Sequence, residues 1–199
     1  FRRVLFRSPQ YTKWKNQRNE TIAKMQPQLL TYSEAQINSF YIKLESEIQK
    51  TILSRTTADI FTCLHNMSVL FYFQRNFDVL SQCFPVLNSK LESNNKELVR
   101  AIMKTYSWMA QEVESPNAYF RDAFKSVQGL FKGQRVNLWN ALLVLKSLKR
   151  GCKEDFENFV ESNLAYFLGI LINDNAEIRH MGFKIISFYL KNLDRKSVV

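Results

Sequence analysis

Two stretches, NKELVRAIM (Asn95–Met103) and DNAEIRHMG (Asp174–Gly182), decide how this chain folds. Each opens on a short polar residue that can cap a helix, Asn95 or Asp174. Each then places an aliphatic residue four steps on (Val99, Ile178), an arginine next (Arg100, Arg179) and a further buried-type residue after that (Met103, Gly182). A cap satisfies the orphan N–H groups of a helix start, and an apolar stripe at i, i+3/i+4 steps gives the helix one face to bury.

Working outward, the same register recurs. Ile60, Val99, Leu138 and Ile178 form one column, spaced by 39 to 40 residues. The next column holds Cys63/Leu64, Ile102/Met103, Ala141/Leu142 and Met181/Gly182, and the turn after it Met67, Tyr106, Leu145 and Ile185. That period lies in the range of helical solenoid repeats. Every such helix is preceded by another apolar-periodic segment able to pair with it. The first of these, SEAQINSFYIKLESEIQKTIL, starts with Ser33 and sets Gln36 three residues later, a capping-box signature. The other segments read as helices of about 15 to 20 residues joined by short polar breaks, including FDVLSQCFPVLNSKL, where Pro85 predicts a kink, and EDFENFVESNLAYFLGILI.

The expected fold is therefore all-α, a HEAT-like α-solenoid of about four antiparallel helix pairs over 33–193, with an N-terminal helix and linker at 9–32. Ile60, Val99, Arg100, Leu138, Ile178 and Arg179 are the structural positions of the repeat, the arginines linking neighbouring repeats. The Arg place holds Phe61 and Trp139 in the other two copies. A closed helical bundle is the alternative, since its apolar stripes look the same.

The two ends do not continue this pattern. FRRVLFRS (1–8) and DRKSVV (194–199) each read as the translation of a short-read sequencing adapter, one per end and each in the expected orientation, and are set aside as artefacts. The formal net charge is +10; without the five basic residues and one acidic residue of those ends it is +6, spread along the chain. That excess is mild; a nucleic-acid-binding helical array that uses it is a further competing expectation, which a steep salt dependence of binding would reveal. Cys63, Cys83 and Cys152 are few, odd in number and far apart, which argues against a disulfide framework and for a reducing compartment. The longest apolar run, around Leu164–Ile172, is about half of the ~20 residues that a membrane span needs. A cytoplasmic protein is expected, reaching endomembrane surfaces only through partners.

Residues that could carry chemistry do not converge. His65 and His180, the two histidines, fall on different repeats, and no Cys-x-x-Cys or His-Glu-x-x-His run occurs. Gly129 and Gly133 sit at a helix junction, where a C-cap explains them. Glu154 and Asp155 mark a helix start, where they complement its dipole. Lys146, Lys149, Arg150 and Lys153 read as the solvated end of a helix, and Phe71, Tyr72, Phe73, Trp108 and Trp139 as core. No catalytic, metal or cofactor-binding residue is assigned.

Four segments in order, NQRNETIAK (Asn16–Lys24), SFYIKLESEI (Ser39–Ile48), ALLVLKSL (Ala141–Leu148) and NAEIRHMGF (Asn175–Phe183), resemble the N-terminal HEAT region of target of rapamycin kinases. Their collinearity covers nearly all of 9–193, while Phe71–Gln82 departs from the family's sequence. The resemblance implies a large serine/threonine kinase of the phosphatidylinositol-kinase-related type as parent, with its ATP and magnesium sites outside this chain. This segment would then be a scaffold arm that docks Raptor-like or Rictor-like subunits and supports a homodimer. A HEAT-repeat transport or adaptor scaffold with no enzymatic parent is the competing expectation; nucleic acid is not an expected partner.

Overall fold

The computed structural model describes residues 9–54, 56–75, 77–113, 120, 122–123 and 137–196, with backbone alone for 194–196. The expected adapter residues 1–8, the last three residues, Gly129, Gly133 and most of the segment 117–131 lie outside the described residues. Every regular element among the described residues is helical, and none is a strand. No helix among them is long and apolar enough to cross a membrane. The chain forms two compact units, 1–105 and 106–199, and the division falls inside one helix.

Unit 1 begins with α1 (Pro9–Leu29), α2 (Glu34–Ile52) and α3 (Thr57–Gln74). The predicted capping box is present at α2: the Gln36 N–H donates to Ser33 Oγ at 3.4 Å, and the Ser33 N–H donates to Gln36 Oε1 at 2.8 Å. A short turn then folds α3 back as the antiparallel partner of α2, and these two pack together more extensively than any other helices of the unit. Thr56 caps α3 by accepting from the Asp59 N–H at 3.2 Å. Around α3 the stripe Ile60, Cys63, Leu64, Met67, Leu70 and Phe71 is buried, and Ser68 is buried with it. The Ser68 hydroxyl is satisfied within the helix, donating to Leu64 O at 2.8 Å. The helix ends on Arg75 in the left-handed region (φ 56°), its guanidinium lying 5.1 Å from the Phe71 ring centroid.

The segment around Pro85 departs from the expected kinked helix. It is two short helices, α4 (Asp78–Ser81) and α5 (Phe84–Ser89), followed by a 3₁₀ turn at Lys90–Glu92. Pro85 occupies the first turn of α5, where its missing N–H would have lacked an intrahelical partner anyway. The proline therefore starts a helix instead of bending one.

The helix α6 (Lys96–Glu112) carries the division between the units. Unit 2 continues with α7 (Leu138–Leu148), α8 (Lys153–Ser162), α9 (Leu164–Ile170) and α10 (Ala176–Lys196). Trp139 through Leu145 are all buried, so α7 is surrounded on every side, and α10 packs against α7, α8 and α9. The predicted single helix over 154–172 is broken at Asn163. Its side-chain amide donates to Phe159 O at 2.8 Å, while its own N–H turns to Val160 O at 3.2 Å. An asparagine that takes the i−4 carbonyl competes with the helical ladder.

Candidate functional site

Ile60 and Val99 are buried, whereas Leu138 and Ile178 are only half-buried; the second and third columns, from Cys63/Leu64 through Ile185, are buried throughout. Cap geometry accounts for Leu138 but not for Ile178, whose cap-aligned counterpart Leu98 is buried. Asn95 Oδ1 accepts from the N–H groups of Glu97 and Leu98, both at 3.1 Å. Asn175 Oδ1 accepts from Glu177 at 2.9 Å and Ile178 at 3.3 Å. Asn137 does the same for Trp139 and Asn140 at 3.1 and 3.3 Å. The cap of α10 is thus Asn175 and not Asp174, and Leu138 directly follows the cap of α7. In this frame Ile178 matches Leu98, and Ala141 matches Val99.

The cap-aligned frame makes α6 and α10 alike in detail. Two residues before each cap a polar side chain accepts the cap's own N–H: Ser93 Oγ for Asn95 at 3.1 Å, and Asn173 Oδ1 for Asn175 at 2.9 Å. Both helices bury the sixth, seventh, tenth, eleventh and fourteenth residues after the cap: Ala101, Ile102, Thr105, Tyr106 and Met109 in one, Met181, Gly182, Ile185, Ile186 and Tyr189 in the other.

Arg100 and Arg179 are not equivalent in that frame. Arg179 Nη1 donates to Asn173 O at 2.6 Å and Asp174 O at 2.9 Å, so it ties down the turn that leads into its own helix. Arg100 is half-buried in unit 1, where its charge acts on the Tyr11 phenol.

The second feature is a groove of about 620 Å³ between α1 and α3. Trp14, Gln17 and Lys24 line it from α1, and Phe61, Thr62 and His65 from α3. Trp14 is the one buried residue of α1. Its ring packs under the Arg18 guanidinium, 5.2 Å from centroid to Cζ, and its indole N–H has no hydrogen-bond partner among the described residues. A second tether holds the start of the same helix. Glu97 Oε2, from the first turn of α6, accepts from the Gln10 N–H at 2.9 Å and the Tyr11 N–H at 3.3 Å. One carboxylate thereby satisfies two orphan N–H groups and complements the dipole of α1.

Charge around the groove is mainly positive. Burial and then the Arg18 charge push the His65 imidazole below its ordinary value of 6.5. Burial, then Arg18 and Lys15, lower the Lys104 ammonium. The His65 shift has a readable consequence. Unfolded His65 takes up a proton near pH 6.5, and folded His65 does so only at lower pH, so the unfolded state binds more protons in between. Stability of unit 1 is expected to lose no contribution from His65 above about pH 6.5 and to decline below it. Urea unfolding at stepwise lower pH reads this, and His65→Gln should flatten that part of the decline. Asp59, whose carboxylate is held below its usual range by the Ser54 and Thr56 hydroxyls, acts with the same sign but at more acid pH.

Elsewhere two of the three thiols, Cys63 and Cys152, are held above their ordinary range, while the hydrogen bond with Cys63 lowers Cys83. All three cysteines are buried thiols. The neighbouring Cys83 thiol and burial push Cys63 far above its ordinary value, and burial with the Asp155 charge raises Cys152 to about 12. A thiolate, not a thiol, is the nucleophile and metal ligand. No group of three or more potential metal-ligating side chains occurs among the described residues. His65 stands on α3 of unit 1 and His180 on α10 of unit 2. What the described geometry does offer is the groove floored by Trp14 and Phe61 in unit 1. No protein-family model, curated protein or solved structure compared with the chain matches it.

Proposed function

We propose that this chain is a protein-binding scaffold, a HEAT-like array of antiparallel helix pairs from the N-terminal arm of a target-of-rapamycin-type serine/threonine kinase. In that role it docks Raptor-like or Rictor-like subunits, and the ATP and magnesium chemistry belongs to a kinase domain elsewhere in the parent. The observation that carries the array is the common frame of α6 and α10, which begin on the same asparagine cap and bury the same five positions after it. The α2–α3 hairpin and the packing of α7 on α10 fit a helix pair and two successive second helices, respectively. The kinase parent rests on the four collinear segments alone.

An array has one further requirement, that a repeat offer an apolar face to the next. On α10, Phe183, Leu190 and Leu193 recur at i, i+7 and i+10 and are 61%, 48% and 40% exposed. A following helix pair would cover that stripe. Without one, the chain is expected to self-associate with rising concentration in size-exclusion chromatography with light scattering, and Phe183→Ser with Leu190→Ser should return it to monomer. A wild-type chain that stays monomeric at every concentration would overturn the array and favour the closed bundle.

A further inference from the structure

Unit 2 gathers positive charge from two helices onto one face. Lys149, at the C-terminal end of α7, donates from Nζ to Lys184 O at 3.3 Å, and the same ammonium lies 4.9 Å from the Phe188 ring centroid. This contact fixes the end of α7 against the middle of α10. On α10, Lys184, Phe188 and Lys191 fall at i, i+4 and i+7, one helical face. On the last turn of α7 and just beyond it, Lys146, Lys149 and Arg150 fall at i, i+3 and i+4. Arg150, Lys184 and Lys191 are exposed, and Lys146 and Lys149 half-buried. The Lys149 ammonium is correspondingly lowered, by burial first and then by Arg150, Lys184, Lys146 and Lys191.

We propose that the face formed by Lys146, Lys149, Arg150, Lys184 and Lys191 is a docking surface for an acidic segment of a partner protein. The charges of Arg150, Lys184 and Lys191 act unfavourably on the Lys149 ammonium in the isolated chain, and a carboxylate-rich partner converts that repulsion into attraction. The composition of the face favours a peptide over a nucleic acid. Phe188 is half-buried beneath Lys149 and is not a free platform for base stacking. Four of the five cations are lysines, point charges without the planar fork that reads phosphate and guanine in two bonds. This inference deepens the scaffold reading by giving one partner its chemistry. It depends on the charged side chains of this face, whereas self-association depends on the apolar Phe183, Leu190 and Leu193, so peptide binding and self-association can fail independently of each other.

The test uses the whole chain and a fluorescein-labelled oligoglutamate peptide, followed by fluorescence anisotropy at low and high salt. Saturable binding that weakens with salt is expected, and Lys184→Glu with Lys191→Glu should reduce the affinity by about tenfold or more. The control pair Lys43→Glu with Lys50→Glu, exposed on α2, should leave it within about twofold, and far-ultraviolet circular dichroism should be unchanged in both variants. Absence of saturable binding, or an equal loss in the control pair, would overturn the proposal. Tighter binding of single-stranded oligouridylate, lost with the same two substitutions, would overturn it in favour of a nucleic-acid site.

Discussion

Gly151→Ala is expected to destabilise unit 2 by about 3 kcal/mol, near the top of the range for overpacking. A Cβ at this position would lie 2.5 Å from the Ala110 carbonyl oxygen, 2.5 Å from Ala110 Cβ and 2.8 Å from the Ala110 carbonyl carbon. Those atoms are the backbone and shortest side chain of α6, and none can rotate away. The turn between α7 and α8 must therefore retreat from α6 or the helix must shift, and either movement opens the close packing around buried Leu148 and Cys152. Two other glycines of the same unit serve as gauges. At Gly182 the added Cβ meets Ile170 Cγ2 at 2.6 Å, the branch methyl of a buried side chain that is stiff at χ1, so a loss is expected there too, smaller because no backbone atom is among those met. At Gly169 the Cβ meets nothing within 4 Å. Gly169→Ala, exposed on α9, should stabilise the unit by about 0.5 to 1 kcal/mol through helix propensity. Urea unfolding of the three variants reads the order directly. If Gly151→Ala unfolds at the wild-type midpoint, the approach of this turn to α6 is wrong.

Trp14→Ala carries the second large effect, expected at about 3 to 5 kcal/mol for a buried tryptophan, and it should be local. α1 is a polar helix with a single buried residue, so removing that residue leaves the helix held by the Glu97 cap and half-buried contacts. The expected result is release of α1, with the α2–α3 hairpin left folded. In amide hydrogen exchange, residues 9–29 should lose protection while the buried turns of α3 retain theirs. Trp14→Phe separates the two parts of the tryptophan's role. It keeps most of the apolar volume and removes an indole N–H that has no partner among the described residues, so its cost should stay below about 1.5 kcal/mol. Equal loss of protection across α1, α2 and α3 in Trp14→Ala would show that α1 is an integral part of one cooperative core.

Helix identity was legible in the residues because the apolar period is local. The Ser33–Gln36 box, the Asn95 cap and the two inner columns of buried residues all stand where the pattern puts them. The misreadings are also local in origin. The pattern DNAEIR contains two residues that can cap, and only the backbone shows that Asn175 is the acceptor. Taking Asp174 instead moved the frame by one residue and made Arg179 look like Arg100. Pro85 and Asn163 each allow either a bend or a break, and the outcome depends on which carbonyl the neighbouring groups find. The α1–α3 groove was not foreseen, because Glu97 reaches α1 across 87 positions of sequence. Its one local signal is Trp14, the one tryptophan of a helix that is polar over most of its length. The basic face of unit 2 was half visible: Lys146, Lys149 and Arg150 form a run, and Lys184 and Lys191 join them only through packing of α10 on α7.

The measurement that tests the central claim most directly is to recover the native transcript and read it outward past Pro9 and Leu193. A scaffold arm of a target-of-rapamycin-type kinase predicts that residues 1–8 and 194–199 are replaced. It also predicts that asparagine-capped helix pairs continue at about 40-residue spacing and that a kinase domain with Asp-Arg-His and Asp-Phe-Gly motifs follows downstream. A transcript that encodes those same end residues, or whose frame runs into sequence with neither further repeats nor a kinase domain, would contradict it.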